Sequence, residues 1–412
     1  MPLGNRYGYD SKAMDGMSIT NQTADLALKP GKATLKTRLL FSAATAYAYT
    51  MVLALAAVWI IFTVITQGVF LEPRNLSNLM RQTAVTGVLS VGMVMVIVAG
   101  QIDLSVGSLV GLSGMAAVLV QTKLHWGLGA SLLTATTVGL VIGTLQGWLT
   151  AHIQIPSFIV TLGGLLAWRG VAKGISRGNT YPVEIRAFKA LGQSYLSPAS
   201  GVVLGSIAVA AITWSVLRSS AARKRYGFEA GGSANLAARI SIPAAMIFIF
   251  VAVLNSYAGL PIPVLIFLTI AIAGAFVMGN SPFGRYLYSI GGNSEAARLS
   301  GINLRTHITA TFCILGALAG VAGVIYTARV GSAGPDAGTL LELDAIAACV
   351  IGGASLRGGR GTVLGACLGA LFMTSLDNGM SLKNVPDFIQ DIVKGAILVL
   401  AVGLDVTRRR RN

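Results

Sequence analysis

The sequence predicts an all-α, polytopic helical membrane protein with about 10 to 12 transmembrane or re-entrant helices. Three observations carry that prediction: charge is scarce, apolar runs are long, and the few charges are mostly basic and clustered. Charged residues are 11% of the 412 and hydrophobic residues 54%, less than half the roughly 25% charge of an average soluble protein. Fifty glycines, a net charge of +16 and a mean hydropathy of +0.71 argue against a soluble globule. Nucleic-acid binding is also not expected, because the basic residues sit between charge-free runs and not on an aromatic-studded surface.

A spanning helix needs about 20 predominantly apolar residues. Runs free of Asp, Glu, Lys and Arg extend from Leu39 to Leu71, Gln82 to Ile102, Leu104 to Thr122, Leu124 to Trp168, Ile240 to Gly284, Thr306 to Ala328 and Gly361 to Leu376. The runs beginning at Leu124 and Ile240 are long enough for two spans each. Further apolar segments lie near 200–217, 341–356 and 388–404. Segments 104–122, 157–175 and 341–356 are short, Gly-rich or interrupted by charge, the pattern of re-entrant or broken helices.

Three basic clusters orient the chain: Arg218, Arg223, Lys224, Arg225 and Arg239; Arg285, Arg298 and Arg305; and Arg408 to Arg411. The positive-inside rule puts all three, and both termini, in the cytoplasm of a multi-pass membrane protein, where anionic lipid attracts them. Acidic residues Glu72, Glu184, Asp336, Glu342, Asp344, Asp387 and Asp391 then fall in the opposite loops. Residues 1–38 read as a cytoplasmic, disordered tail, 39–405 as one transmembrane domain, 280–307 as a cytoplasmic loop within it, and 406–412 as a basic cytoplasmic end. Arg169, Lys173 and Arg177, at i, i+4 and i+8, break the charge rule. They either snorkel to the interface or line an outer vestibule.

No catalytic residue and no metal site is expected. Cys313, Cys349 and Cys367 have no paired spacing, and His125, His152 and His307 are scattered. Gly107, Gly111 and Gly114, then Gly316, Gly320 and Gly323, then Gly361, Gly365 and Gly369 recur at helical spacing, which lets helix backbones approach closely. A weak repeat relates the stretch from Gly100 to Gly111 to that from Gly352 to Gly365.

Asp103 stands alone between Glu72 and Glu184, at the junction of two apolar runs and two residues before Ser105. It either caps the following helix or serves the pathway. Asn255, Asp377 and Asn378, near span ends, are further pathway or gating candidates. Between residues 283 and 302 a short helix is expected: Asn293 or Ser294 as N-cap, Glu295 on the positive dipole, Ala296 and Ala297 as strong formers, then Arg298 and Leu299, with Gly301 as terminator. Such a helix between spans is a handle for a soluble partner.

Together, Gly100 to Gly107 (Gly-Gln-Ile-Asp-Leu-Ser-Val-Gly), Ile155 to Gly163, the 283–302 loop, Glu342 to Ala348, and Ile351 to Gly361 resemble the permease subunits of bacterial ATP-binding-cassette importers for ribose, xylose, arabinose and galactose. The resemblance covers about residues 45–405. The basic insertion at about 218–239 makes it closest to the longer xylose permeases. It implies that Glu295-Ala296-Ala297 followed by Gly301 belongs to a coupling helix, although the Ile-x-Leu-Pro usual downstream is missing. It further implies an ATPase subunit using ATP and Mg, a periplasmic sugar-binding protein and a second permease copy as partners, with no cofactor bound by this chain. The absence of a Gly-x4-Gly-Lys-[Ser/Thr] loop agrees with an external energy source. An ion-coupled secondary transporter is the remote alternative, because only Asp103 and Asp377 approach the position of a coupling site.

Overall fold

A segment surrounded by hydrocarbon has no water for its N–H and C=O groups, so each charge-free run closes its hydrogen bonds internally as a helix. The computed structural model of the chain describes residues 50–226 and 233–410, with backbone only at 224, 233–234 and 404–410. These residues fall in one unit that begins at Ala48. The expected tail over 1–38 lies outside the described residues.

The helices run in chain order as α1 (Thr50–Ile65), α2 (Pro73–Val98), α3 (Val106–Leu124), α4 (Leu128–Ala151), α5 (Ser157–Ser176), α6 (Arg186–Gln193), α7 (Pro198–Arg225), α8 (Ser233–Asn255), α9 (Ile262–Asn280), α10 (Pro282–Gly292), α11 (Ser294–Leu299), α12 (Leu304–Val330), α13 (Leu341–Ile351), α14 (Val363–Leu382) and α15 (Asp387–Arg410). Among the described residues, nine are long and apolar enough to cross a membrane: α2 to α5, α7 to α9, α12 and α14. With the shorter α1, the half-length α13 and the charge-bearing α15, the polytopic all-α class stands.

Three local expectations change. Segments 104–122 and 157–175 form unbroken helices of 19 and 20 residues, whereas 341–356 yields an 11-residue helix followed by an irregular loop. The basic stretch 218–239 is mostly helical, because α7 extends to Arg225 and α8 resumes at Ser233. α15 likewise runs through to Arg410, across the boundary drawn at 405.

Two antiparallel strand pairs tie connections together. β1 (Tyr181–Pro182) pairs with β4 (Ser332–Ala333), and β2 (Tyr195–Leu196) with β3 (Leu260–Pro261), with Tyr181 opposite Ala333 and Tyr195 opposite Pro261.

α2 is the central mast. In its apolar window 89% of residues are buried, against 6% in α8, so α2 is sheathed by protein while α8 lies at the periphery. α12, α14, α9 and α13 pack around α2, and α4 lies along α12. Lipid tails provide no hydrophobic drive between helices, so close contact depends on small residues. A row not anticipated above lies on α4: Gly139 and Gly143 meet Gly316 and Gly320 of α12, and Gly147 meets Thr309 and Phe312. A methyl at Gly139 would strike the Gly316 carbonyl, and one at Gly316 the Gly139 carbonyl. Gly114 and Gly323 make the matching approach between α3 and α12.

The two Gly-rich stretches of the weak repeat abut. Gly100, with φ of +77°, lies against Gly358, and the Gly359 N–H donates to the Val98 carbonyl at 2.9 Å.

Gly316→Leu should lower stability by about 3 kcal/mol, the upper part of the overpacking range. Gly163→Ala, which has open space around its Cβ, should be neutral or mildly stabilising. Thermal unfolding in detergent compares the two; equal melting temperatures would remove the seam from this account.

Candidate functional site

At one end of the bundle, the segment expected to hold one helix forms two. α10 is capped by Ser281, whose hydroxyl accepts the Gly284 N–H at 3.2 Å. α11 is capped by Asn293, whose Oδ1 accepts the Ala296 N–H at 3.0 Å, so Ser294 becomes the first helical residue. Glu295 and Arg298 form a bidentate i,i+3 pair: the Arg298 Nη2 and Nε donate to the carboxylate at 2.6 and 3.0 Å. The Arg298 hydrogen bonds and charge hold the Glu295 carboxyl below its ordinary range and raise the guanidinium in turn.

Ala297 is the buried anchor of α11, whereas Leu299 is 74% exposed. Gly301 ends the turn at φ +83°, a left-handed conformation, and the Ile302 N–H returns to the Ala297 carbonyl at 3.1 Å. Three further contacts brace this tip. His307 of α12 stacks on Phe283 and meets Tyr286 edge-on, and the Tyr288 hydroxyl donates to the Gly361 carbonyl at 2.7 Å.

Asp103 and Ser105 come together at the start of α3. The Asp103 Oδ1 accepts both the Ser105 N–H and its hydroxyl at 2.7 Å. The Ser105 hydroxyl also meets the Gln146 amide of α4 at 2.9 to 3.0 Å. Ile102 donates its N–H to the Ser157 hydroxyl at 3.3 Å. Both Asp103 and Ser105 are buried, so this junction welds α3, α4 and α5.

Arg169 and Lys173 clamp the 331–340 segment. The Arg169 Nη1 donates to the Ala337 carbonyl at 3.1 Å and to the Thr339 hydroxyl at 2.8 Å, and Lys173 pairs with Asp336 at 2.9 Å. Hydrogen bonding from Lys173 keeps the exposed Asp336 carboxyl below its usual value. Glu342 and Asp344, expected in an outer loop, are instead buried on α13, because the clamped segment folds inward and carries them against the bundle.

Asp377 and Asn378 do different work on α14. Asn378 exchanges two amide hydrogen bonds with Asn75 of α2, at 2.8 and 3.0 Å, and one helical turn further in Thr374 meets Thr83 at 2.6 Å. Asp377 lies 3.4 Å from the Lys394 Nζ of α15, which also reaches Asp344 at 3.4 Å and Asp391 at 3.7 Å. Asn255 donates to the Pro198 carbonyl at 3.1 Å, closing the peripheral α7–α8 hairpin.

The pathway candidates therefore do not form one site. Asn378 lies beside the first turn of α2, Asp103 lies beyond its last, and 26 residues at about 1.5 Å each separate them. Lys394 escaped the sequence reading, although its i,i+3 spacing from Asp391 was a visible signal. Among the described residues, no group of three or more His, Cys, Asp or Glu is placed to hold a metal.

Lys394→Met should destabilise the chain by about 3 kcal/mol, since it leaves buried carboxylates uncompensated. Asp391→Asn, at the half-exposed member, should cost under about 1 kcal/mol. Denaturation midpoints in detergent give the comparison; the reverse order would mean that Lys394 is not the counter-ion holding α15.

Residues 75–402 match the family model described as branched-chain amino acid transport system / permease component. The chain is 45% identical over 364 residues to the xylose transport system permease protein of Escherichia coli (strain K12), covering 88% of this chain and 93% of that protein. It is 43% identical to the Haemophilus influenzae xylose transport system permease protein, covering 88% and 97%. Identity to the ribose import permease protein of Escherichia coli (strain K12) is 34% over 337 residues, covering 82% and 87%. No solved structure matches the chain.

Proposed function

The chain belongs to the branched-chain amino acid transport system / permease component family, and from that premise we propose that it is the membrane permease of an ATP-binding-cassette importer for a monosaccharide, foremost D-xylose. Its higher identity to xylose than to ribose permeases supports the sugar. The single structural observation that carries the reading is the α10–α11 tip. A capped, self-neutralised two-turn helix, anchored by Ala297 and projecting Leu299, is a rigid knob suited to a cleft on a separate ATPase.

In this reading, the tip, both termini and the basic ends of α7 and α8 face the cytoplasm, in keeping with the charge bias. The ATPase subunit binds ATP and Mg, and this chain binds no cofactor. A periplasmic binding protein delivers sugar at the opposite end, and two copies of the chain enclose the route. Asp103 and Ser105 contribute by holding the junction of α3, α4 and α5. The Lys394 ammonium, shared between Asp344 of α13 and Asp377 of α14, holds α15 in place.

In proteoliposomes with the ATPase and the binding protein, labelled xylose uptake should require ATP. Glu295→Lys should cut it at least about tenfold, equal to roughly 1.4 kcal/mol of lost coupling, with the melting temperature of the isolated chain little changed; Gly301→Leu should cut it as much and also lower the melting temperature, because φ of +83° strains any residue with a Cβ. Uptake driven by a pH gradient without ATP would falsify the assignment. Ribose uptake outrunning xylose in the same vesicles would move the substrate.

A further inference from the structure

The α7–α8 hairpin is not used by the tip, by the Asp103 junction or by the α15 cluster. It carries a groove of about 540 Å³ that opens toward the surroundings of the bundle. Val216, Ser219, Ser220 and Arg223 follow one another at i, i+3, i+4 and i+7 on α7. On α8, Asn235, Arg239, Ile242 and Pro243 follow at i, i+4, i+7 and i+8. Each helix thus turns a single face to the groove. Because the helices are antiparallel, the two faces sort by chemistry. Arg223, Asn235 and Arg239 gather at the end near residues 225 and 233, and Val216, Ile242 and Pro243 lie deeper along the helices.

The polar end is rich in donors. Among the described residues, the Arg223 and Arg239 guanidiniums and the Asn235 amide make no hydrogen bond or ion pair, and neither does the Ser220 hydroxyl. Ser219 already donates to the Val216 carbonyl at 2.8 Å. Neither helix contains Asp or Glu. Glu229, in the connecting stretch, lies outside the described residues. Pro243 has no N–H to return to the Arg239 carbonyl, so the turn carrying Arg239 is held by one bond fewer.

We propose that this groove is a binding site for the headgroup of an anionic phospholipid. Two guanidiniums and an amide lining one groove match a phosphate diester, whose two non-bridging oxygens accept paired hydrogen bonds from the planar guanidinium fork. The apolar part of the groove continues into a surface made for acyl chains. Ile242 and Met246, one turn apart on the groove face of α8, are exposed, and only 11% of the α7 window and 6% of the α8 window are buried. A free phosphate ion would use the guanidiniums and leave that collar unoccupied. The lipid would act as the missing neighbour of a hairpin that touches the bundle mainly through its own two helices and the edge of α2.

The test is native mass spectrometry and thermal unfolding of the full chain after delipidation in a neutral detergent, with phosphatidylglycerol, phosphatidylcholine of the same acyl chains, or inorganic phosphate added back. Phosphatidylglycerol should be retained about tenfold or more over phosphatidylcholine, as expected for two arginines at a headgroup, and should raise the melting temperature. The Arg223→Gln/Arg239→Gln pair should abolish that preference. The Arg285→Gln/Arg305→Gln pair, which removes the same charge from exposed positions elsewhere, should keep it. Equal retention of the two lipids, loss of the preference in both double variants, or the same melting shift from inorganic phosphate would each overturn the proposal; the last would leave a free-anion site only. None of these readouts depends on sugar or ATP, so the outcome stands apart from the importer assignment.

Discussion

The architecture depends on how near two helix backbones can come when no water is available to push them together. Where Gly139 and Gly143 of α4 face Gly316 of α12, the absence of Cβ atoms turns the contact into backbone against backbone. Dispersion contacts at that range are individually small and add along the seam. With α4 drawn onto α12, and α3 onto α12 at Gly114 and Gly323, α2 is enclosed and the loops at either end acquire fixed neighbours.

The irregular segments between helices are the costly part of such a fold, since each exposes backbone groups at depth. They are satisfied by a few polar side chains whose own partners are fixed. Asp103 holds the start of α3, Arg169 takes the Ala337 carbonyl, and Asn75 and Asn378 answer each other across α2 and α14. The polar residues of the interior thus act chiefly as fasteners. This accounts for their dispersal along the bundle, where a sugar site would have gathered them in one cleft.

Helix positions were legible in the sequence because they follow from the distribution of charge alone, and the N-cap at Asn293 and the terminator at Gly301 follow from local chemistry. Partnerships were not legible. Asn75 and Asn378 are 303 positions apart, and no local pattern marks either as half of a pair. The α10–α11 segment was underestimated because Pro282 and Ser281 start a helix that the apolar pattern assigns to the preceding span. Glu342 and Asp344 were misplaced for a related reason: acidity suggests a loop, but burial on α13 depends on Arg169 and Lys173 pulling in the chain ahead of them.

The closed ion pair on α11 has a further bearing on how the tip meets other surfaces. Glu295 and Arg298 spend their charge on each other, so the field at the tip comes from the exposed Arg285 and Arg305 that flank it. The short helix itself then offers shape alone: the exposed Leu299, at the angle set by Asn293 and Gly301. The two roles are thus divided: the flanking arginines act at a distance and fade with salt, while the neutral helix between them acts only on contact.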